Sequence, residues 1–405
     1  MALWEIHGEQ YDLTPLEKTH PGGSYILQVT RGSDCTALFE THHVTKTPHL
    51  RLPSYRAGRE SRTVPSWDPR GVHRALREDV AAYVQLHGCK LTDRPLAFAL
   101  FIAIMGMHLG LVAAWITLPP SSAITVGLAA TMWLGAAEAV HSGTHGAISH
   151  YQWVNRGLAV LGTLFCPPFA WVRQHVTGHH GGVNTTVDPD VYHHPRRTHG
   201  WRVLASQAHY RAYKWWRFSL ALGLWLTQLV PSTLHAGVVL LRGHYPGTHA
   251  KIAWAPGERR RAAGLYAALL AVHGYQIVRI GVVWAELPFM LCGACYYACS
   301  QVSHINEPSA SASNHPDGWA VEQLRASAGD YSTGSPFTGW LSIGLNNQAV
   351  HHVFPSVHHV HYRHVAKIVR TRLRRLGIQI PRPHCCYAEA LVAHLRYLRK
   401  LNDKD

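Results

Sequence analysis

Ala123-Ile-Thr-Val-Gly-Leu-Ala-Ala-Thr-Met-Trp-Leu-Gly-Ala-Ala-Glu-Ala-Val140 runs without a break into His141-Ser-Gly-Thr-His145. A stretch apolar enough to cross a bilayer therefore ends in two histidines four residues apart, a spacing that puts both on one face of a helix. Three other runs share the apolar character: Leu96 to Leu118, Ala262 to Ile280, and Gly281 to Cys299. They predict four spans grouped as two tight hairpins. A fifth run, Phe218 to Leu241, is as apolar, but both its flanks are basic: Arg211, Lys214 and Arg217 before it, Arg242, Lys251, Arg259, Arg260 and Arg261 after it. The turn Pro119 to Ser122 carries no charge and the turn near Arg279 carries one. Because positive charge stays on the cytosolic side, the fifth run, with Pro231 in its middle, is expected to lie in the interface or re-enter. This parity puts the N-terminal region, the stretch from His141 to Arg261 and the tail after Ser300 on the cytosolic face.

Upstream of the spans, residues 1–60 read as a small soluble domain. Short alternating stretches from Leu3 to Tyr11 are followed by a Gly-rich turn at Pro21 to Gly23 and polar helical pieces. Residues 61–94 read as a charged linker and approach helix, and 95–405 as the membrane domain. Residues 1 to 15 are mixed polar and acidic, unlike a cleavable signal, so the N-terminus is expected in the cytosol. The net charge of +15 lies around the apolar runs, which favours membrane lipid headgroups as partners and excludes nucleic acid. The eight cysteines form no regular framework and are expected to be mostly free. Cys292, Cys295 and Cys299 have the spacing of small packing residues on a helix.

Histidine is the outlier, at 32 residues. Three boxes stand out: His141-Ser-Gly-Thr-His145, His175-Val-Thr-Gly-His179-His180, and Gln348-Ala-Val-His351-His352. Three such boxes converging under a bundle can surround a metal pair with neutral imidazoles. In so histidine-rich a chain each box alone is a weak signal. Their order is the specific one: one at the inner end of the second span, one in the following cytosolic stretch, one after the fourth span.

The boxes resemble those of the membrane fatty acid desaturases. So do His141-Ser-Gly-Thr-His-Gly-Ala-Ile-Ser149, Asp188-Pro-Asp190, and Gly344-Leu-Asn-Asn-Gln-Ala-Val-His-His-Val-Phe-Pro355. Glutamine at the head of box three marks the front-end members, which place a new double bond between an existing one and the carboxyl end. Residue by residue, the resemblance implies His141, His145, His175, His179, His180, His351 and His352 as ligands of two non-haem iron ions. Gln348 takes the remaining box-three position, and His304 in Gln301-Val-Ser-His-Ile-Asn-Glu307 matches an additional ligand. No catalytic side chain beyond these ligands is implied. Ala349 and Val350 depart from the commoner Gln-Ile-Glu-His-His, which bears on selectivity more than on chemistry.

The N-terminal region resembles cytochrome b5, with His20-Pro-Gly-Gly23, Gly32-Ser-Asp-Cys-Thr-Ala-Leu-Phe-Glu-Thr-His-His43, and the preceding Trp4 and Tyr11-Asp12. That likeness implies a haem b held by His20 and His43, with His42 the alternative to His43. A haem closed on both sides carries electrons and does not bind oxygen. The implied fold class is an α-helical integral membrane protein with four transmembrane helices in two hairpins. A cytosolic helical cap holds its di-iron site, and a small α+β cytochrome-b5-like domain precedes it.

Other histidines are discounted. His150, His193, His194, His358, His359, His361 and His364 lie near boxes and are expected to support ligands or sit at the surface. His108, His235 and His273 are expected to find partners on neighbouring helices. Glu286 with Arg279 is expected to form a buried pair or to lie near the acyl path, and Arg363 to Arg375 to form a membrane-surface stripe.

Removing hydrogen from an unactivated methylene is beyond acid-base side chains and needs a metal-bound oxidant made from O2. The expected electron donor is NADH-cytochrome b5 reductase, acting through the haem. The expected substrate is a long-chain unsaturated acyl-lipid or acyl-CoA, and the expected location is the endoplasmic reticulum membrane. Two rival readings are a sphingolipid long-chain-base desaturase or lipid hydroxylase with the same boxes, and a non-catalytic haem- and metal-binding membrane protein.

Overall fold

A computed structural model of the chain describes residues 3–59, 71–88, 90–92, 94–184, 188–189, 236–243, 253–310 and 317–402. At the N-terminal end, β1 (Trp4–Ile6) and β2 (Glu9–Tyr11) form an antiparallel hairpin with Trp4 opposite Tyr11. His7 and Gly8 both take positive φ, the conformation a two-residue hairpin loop needs. Alternation buries Trp4 and Ile6 with Tyr11, Leu13, Leu27 and Cys35, and the Trp4 indole donates to the Leu27 carbonyl at 3.0 Å. A third strand, β3 (Arg56–Arg59), adds to β2, completing the order β1-β2-β3. The stretch has no β-branched residue, and it is a strand because β2 offers a free edge. Helices Ser24–Thr30 and Thr36–His42 cover the sheet.

Two long apolar helices follow the approach helix Val72–His87: Pro95–Thr117, with proline at its first turn, and Ser122–Thr144, capped by the Ser121 hydroxyl accepting from the Ile124 N–H. They differ in surroundings. Only 22% of the most apolar stretch of Pro95–Thr117 is buried, against 67% for Ser122–Thr144. The first turns Leu100, Ile102, Met107 and Leu109 outward, as a lipid-facing helix does, and the second is the central post.

The segment Glu258–His304 is helical throughout except at Gly281, whose φ of 79° and ψ of 155° only glycine adopts readily. The chain reverses there. His273 and Glu286 are hydrogen bonded at 2.9 Å and the His273 and Phe289 rings lie 4.7 Å apart, whereas thirteen residues of straight helix would separate the first pair by about 20 Å. Glu286 thus pairs with His273, so the buried pair with Arg279, one of the two roles the sequence offered, does not form. Arg279 instead donates to the carbonyls of Trp115 and Leu118, which the end of Pro95–Thr117 leaves without helical partners. Among the described residues, three helices are long and apolar enough to cross a membrane, and this folded one is the third. Of the run Phe218 to Leu241, residues 218–235 lie outside the described residues, as do His193, His194 and His235. Its end belongs to helix Ala236–Arg242, which buries Ala236 and Val239 against Phe169 and Ala262.

Two buried charge clusters join the N-terminal domain to the membrane body. Arg77 donates to Glu40 at 2.8 Å, with His7, His49 and His73 on the same carboxylate. Burial alone would raise the Glu40 pKa, but hydrogen bonds from His49, His7 and His73 hold it well below the carboxylate range. Arg173 forks onto Glu258 at 2.9 and 3.1 Å, and the Tyr25 hydroxyl donates to the same carboxylate at 2.7 Å.

The helix Tyr362–Arg375 buries Tyr362, Val365, Ala366, Val369 and Leu373. Arg370 and Arg372 pair with Asp330 and Asp79, while Arg363, Lys367, Arg374 and Arg375 remain exposed.

Candidate metal centre

Two of the three boxes lie on or just after a widened turn of helix. Box one ends the helix Ser122–Thr144, which widens into a π-turn at Met132–Ala137 before resuming at Glu138. Box two lies on the π-helix Val172–His179, where the His180 N–H donates to the His175 carbonyl at 3.1 Å, five residues back. In an α-helix His180 would point roughly 140° away from His175. The wider turn brings both to one face, Nε2 to Nε2 at 3.2 Å. Box three is the short helix Gln348–Val353, with Gln348 one turn before His352.

These segments converge on one cluster with two foci. His141, His145, His175 and His351 have ligand atoms all within 4.8 Å of one another, and so do His179, His304 and His352. His180 stands between the foci, its ring centroid 4.5 Å from both His145 and His352. The Gln348 amide nitrogen lies 3.0 Å from His304 Nε2 and 3.4 Å from His352 Nε2. All nine side chains the sequence singled out for metal therefore meet.

The donor set fits metal. His141 and His351 face each other Nε2 to Nε2 at 3.0 Å, the separation of two ligands on one ion. Both ring nitrogens of His145 are buried without a hydrogen-bond partner, an arrangement costly in a protein interior unless a metal satisfies it. Burial first, then the neighbouring imidazoles, hold His145, His175, His180, His351 and His352 well below the usual histidine range, so they are neutral, as ligands must be. An all-imidazole set with one amide suits iron, zinc, copper or nickel and not magnesium or calcium.

Residues outside the boxes orient the cluster. The Asp188 carboxylate accepts from His179 Nδ1 at 3.0 Å and is held by the Asn184 N–H at 2.7 Å. His351 Nδ1 donates to the Tyr362 hydroxyl at 2.8 Å. Such outer partners fix which nitrogen faces the metal and raise ligand basicity. Asp188 was visible in the sequence as part of a motif without a role, while nothing there pointed to Tyr362. A third buried group joins Glu138 to His358 at 3.2 Å and His359 at 3.4 Å. Because His358 Nδ1 accepts from the Val360 N–H, its Nε2 carries the proton and donates to Glu138. The group clamps the helix one turn ahead of His141. His361 bonds the Thr92 carbonyl, His108 bonds Thr131, and His150 lies tilted against the Tyr151 ring, in keeping with their discounting. Phe165, Trp171, Tyr296, Ile343 and Leu345 wall a cavity that reaches His141, His175, His304 and Gln348.

In the N-terminal domain the His20 and His43 ring centroids lie 5.9 Å apart. His20 Nδ1 donates to the Gly23 carbonyl at 3.3 Å and His43 Nδ1 to the Phe39 carbonyl at 2.9 Å, which leaves the lone pair of each Nε2 able to bind a metal. Burial pushes the His43 pKa down to about 3. A Cβ at Gly22 would stand 2.8 Å from His20 Cε1, so the Pro-Gly-Gly turn makes room for the imidazole. His42 does not face His20. Its ring stacks on His145 at 5.7 Å.

The sequence profile of the fatty acid desaturases matches residues 113–382, a span that holds every box and His304. The chain belongs to the fatty acid desaturase family. A second profile, the cytochrome b5-like haem/steroid binding domain, matches residues 2–60, so this desaturase carries its own cytochrome b5 domain. It is similar to the acyl-lipid omega-13 desaturase of Chlamydomonas reinhardtii, 26% identical over 93% of this chain and 89% of that one. It is also similar to the acyl-lipid (8-3)-desaturase of Physcomitrium patens, 26% identical over 99% and 88%, and to the Delta(5) fatty acid desaturase A of Dictyostelium discoideum, 26% identical over 99% and 90%. No solved structure matches. The desaturase is a membrane-associated oxidoreductase acting on fatty acyl lipid with O2, and its b5 domain serves electron transfer.

Proposed function

We propose that the protein is a front-end desaturase of acyl chains esterified in membrane lipids, placing a cis double bond between an existing one and the carboxyl end of a long polyunsaturated chain. The observation that carries this reading is the convergence of the three boxes and His304 into two imidazole foci at the end of an apolar-walled cavity. The lipid-bound substrate is favoured by the names of the Chlamydomonas and Physcomitrium relatives.

In this reading His141, His145, His175 and His351 hold one non-haem iron ion and His179, His304, His352 and Gln348 the other, with His180 between them. His20 and His43 hold haem b. The iron pair supplies, once bound, the O2-derived oxidant that strips hydrogen from two adjacent methylenes. The chain's own residues do the rest. Asp188 and Tyr362 fix the tautomers of His179 and His351, Trp171 and Phe165 keep water from the cluster, and the cavity sets which carbon pair reaches it. The domains are 1–60, 61–94 and 95–405. Four helices span the bilayer as the hairpins 95–144 and 258–304, the latter turning at Gly281. The N-terminus, boxes and C-terminus face the cytosol from the endoplasmic reticulum, where NADH-cytochrome b5 reductase is the donor.

The test is expression in a yeast without polyunsaturated lipids, fed di- to tetra-unsaturated acids, with products identified by mass spectrometry beside a His351→Ala control. A new alkene on the carboxyl side of an existing double bond, first appearing in phospholipid, is expected. Hydroxylated or sphingoid products, or a first appearance in the acyl-CoA pool, would overturn the assignment.

A further inference from the structure

We propose that His42 is the link through which electrons leave the haem domain for the metal centre. The inference rests on the haem and iron reading above. His42 is bonded in sequence to His43, whose ring faces His20, yet its own ring turns the opposite way and stacks on His145 of box one, centroids 5.7 Å apart and planes 27° apart. One dipeptide thus touches both sites. Its Nδ1 donates to the Leu38 carbonyl at 3.1 Å, which fixes the ring. The Nε2 that remains is buried on the side that faces box one and bonds nothing in the protein.

The contact is held from both ends. Glu40, two residues before His42 on the same helix, is the buried carboxylate bound by Arg77 of the approach helix. Tyr25 anchors the domain to Glu258, and the Val29 carbonyl accepts from the Ala253 N–H at 2.9 Å. A docking this fixed is what intramolecular electron transfer requires, because tunnelling falls off steeply with each unbridged gap. A second crossing lies at the Thr41 carbonyl, which accepts from the Ser356 hydroxyl at 3.4 Å, but it reaches the loop after box three and no ligand.

Each transfer moves one electron: the ferrous haem becomes ferric and the metal centre gains one reducing equivalent. Two such passes, with the two hydrogen atoms lost by the acyl chain and two protons from solvent, carry one O2 to two waters per double bond. His42 is not itself oxidised or reduced. It is a positioning residue for the path.

The experiment uses the full-length protein loaded with haem and iron in lipid nanodiscs. The haem is reduced anaerobically, the sample is mixed with O2 and acyl lipid, and loss of the reduced-haem absorbance is followed by stopped flow. His42→Ala is expected to slow reoxidation about tenfold or more, a barrier change of about 1.4 kcal/mol, at unchanged haem content, iron content and haem potential. His42→Phe, which keeps the ring stack, is expected to restore most of the rate, and Ser356→Ala to leave it unaltered. Methyl viologen radical, which reduces the metal centre directly, is expected to return His42→Ala to wild-type turnover. Reoxidation of His42→Ala at the wild-type rate would overturn the proposal, and so would failure of the viologen to rescue it. A wild-type haem that O2 and lipid never reoxidise would instead sink the functional reading beneath it.

Discussion

The haem pocket and the histidine cluster both gather imidazoles, but from opposite ranges of the chain. His20 and His43 belong to one small domain, and each is oriented by a carbonyl of its own local segment, Gly23 and Phe39. In the cluster, His141 and His351 meet from 210 residues apart, and His351 and its neighbour His179 are oriented by side chains from separate elements, Tyr362 and Asp188. The pocket is therefore a property of local sequence, whereas the cluster is a property of the whole fold. The two should fail independently, and the cluster should be the more sensitive to changes far away.

The largest effect that can test this independence is loss of one centre with survival of the other. His351→Ala is expected to abolish desaturation and lower bound iron while the haem absorbance is unchanged, and His20→Ala to remove the haem band while iron stays. Iron analysis beside the optical spectrum reads both, and loss of both centres in either variant would break the comparison. Next comes Arg77→Ala, which leaves Glu40 buried beside histidines alone. Breaking such a pair costs about 3–5 kcal/mol, so denaturant unfolding should show the N-terminal domain releasing from the body at lower denaturant.

A smaller effect is expected at Tyr362→Phe, which removes the acceptor of His351 Nδ1. Loss of such a partner costs about 10- to 100-fold in metal affinity, measurable as faster iron loss to a chelator with the haem unaffected. The smallest is Gly22→Ala. The added Cβ must displace the His20 ring at a cost of about 1 kcal/mol, seen as faster haem transfer to apomyoglobin with iron content unchanged.

How much of this was legible beforehand follows the same division. A short motif sufficed to single out His20 and His43, and their rings face each other while that of His42, the alternative, turns toward His145. The boxes could be read because a four-residue spacing puts His141 with His145 and His175 with His179 on one helical face. The same reasoning does not reach His180, which shares that face only because the backbone widens. The reversal at Gly281 was legible from the apolar runs and their charges. The partner of Glu286 was not, since Arg279 is drawn to carbonyls at the end of another helix. Tyr362 and the Glu138, His358 and His359 clamp were illegible for a general reason: contacts between elements distant in sequence leave no period to detect.

The widened backbone under box two limits how the motif can be moved. A designer who grafts His-x-x-x-His-His onto an ideal α-helical bundle obtains two usable histidines and a third aimed at the wrong neighbour. The wide turn must travel with the residues.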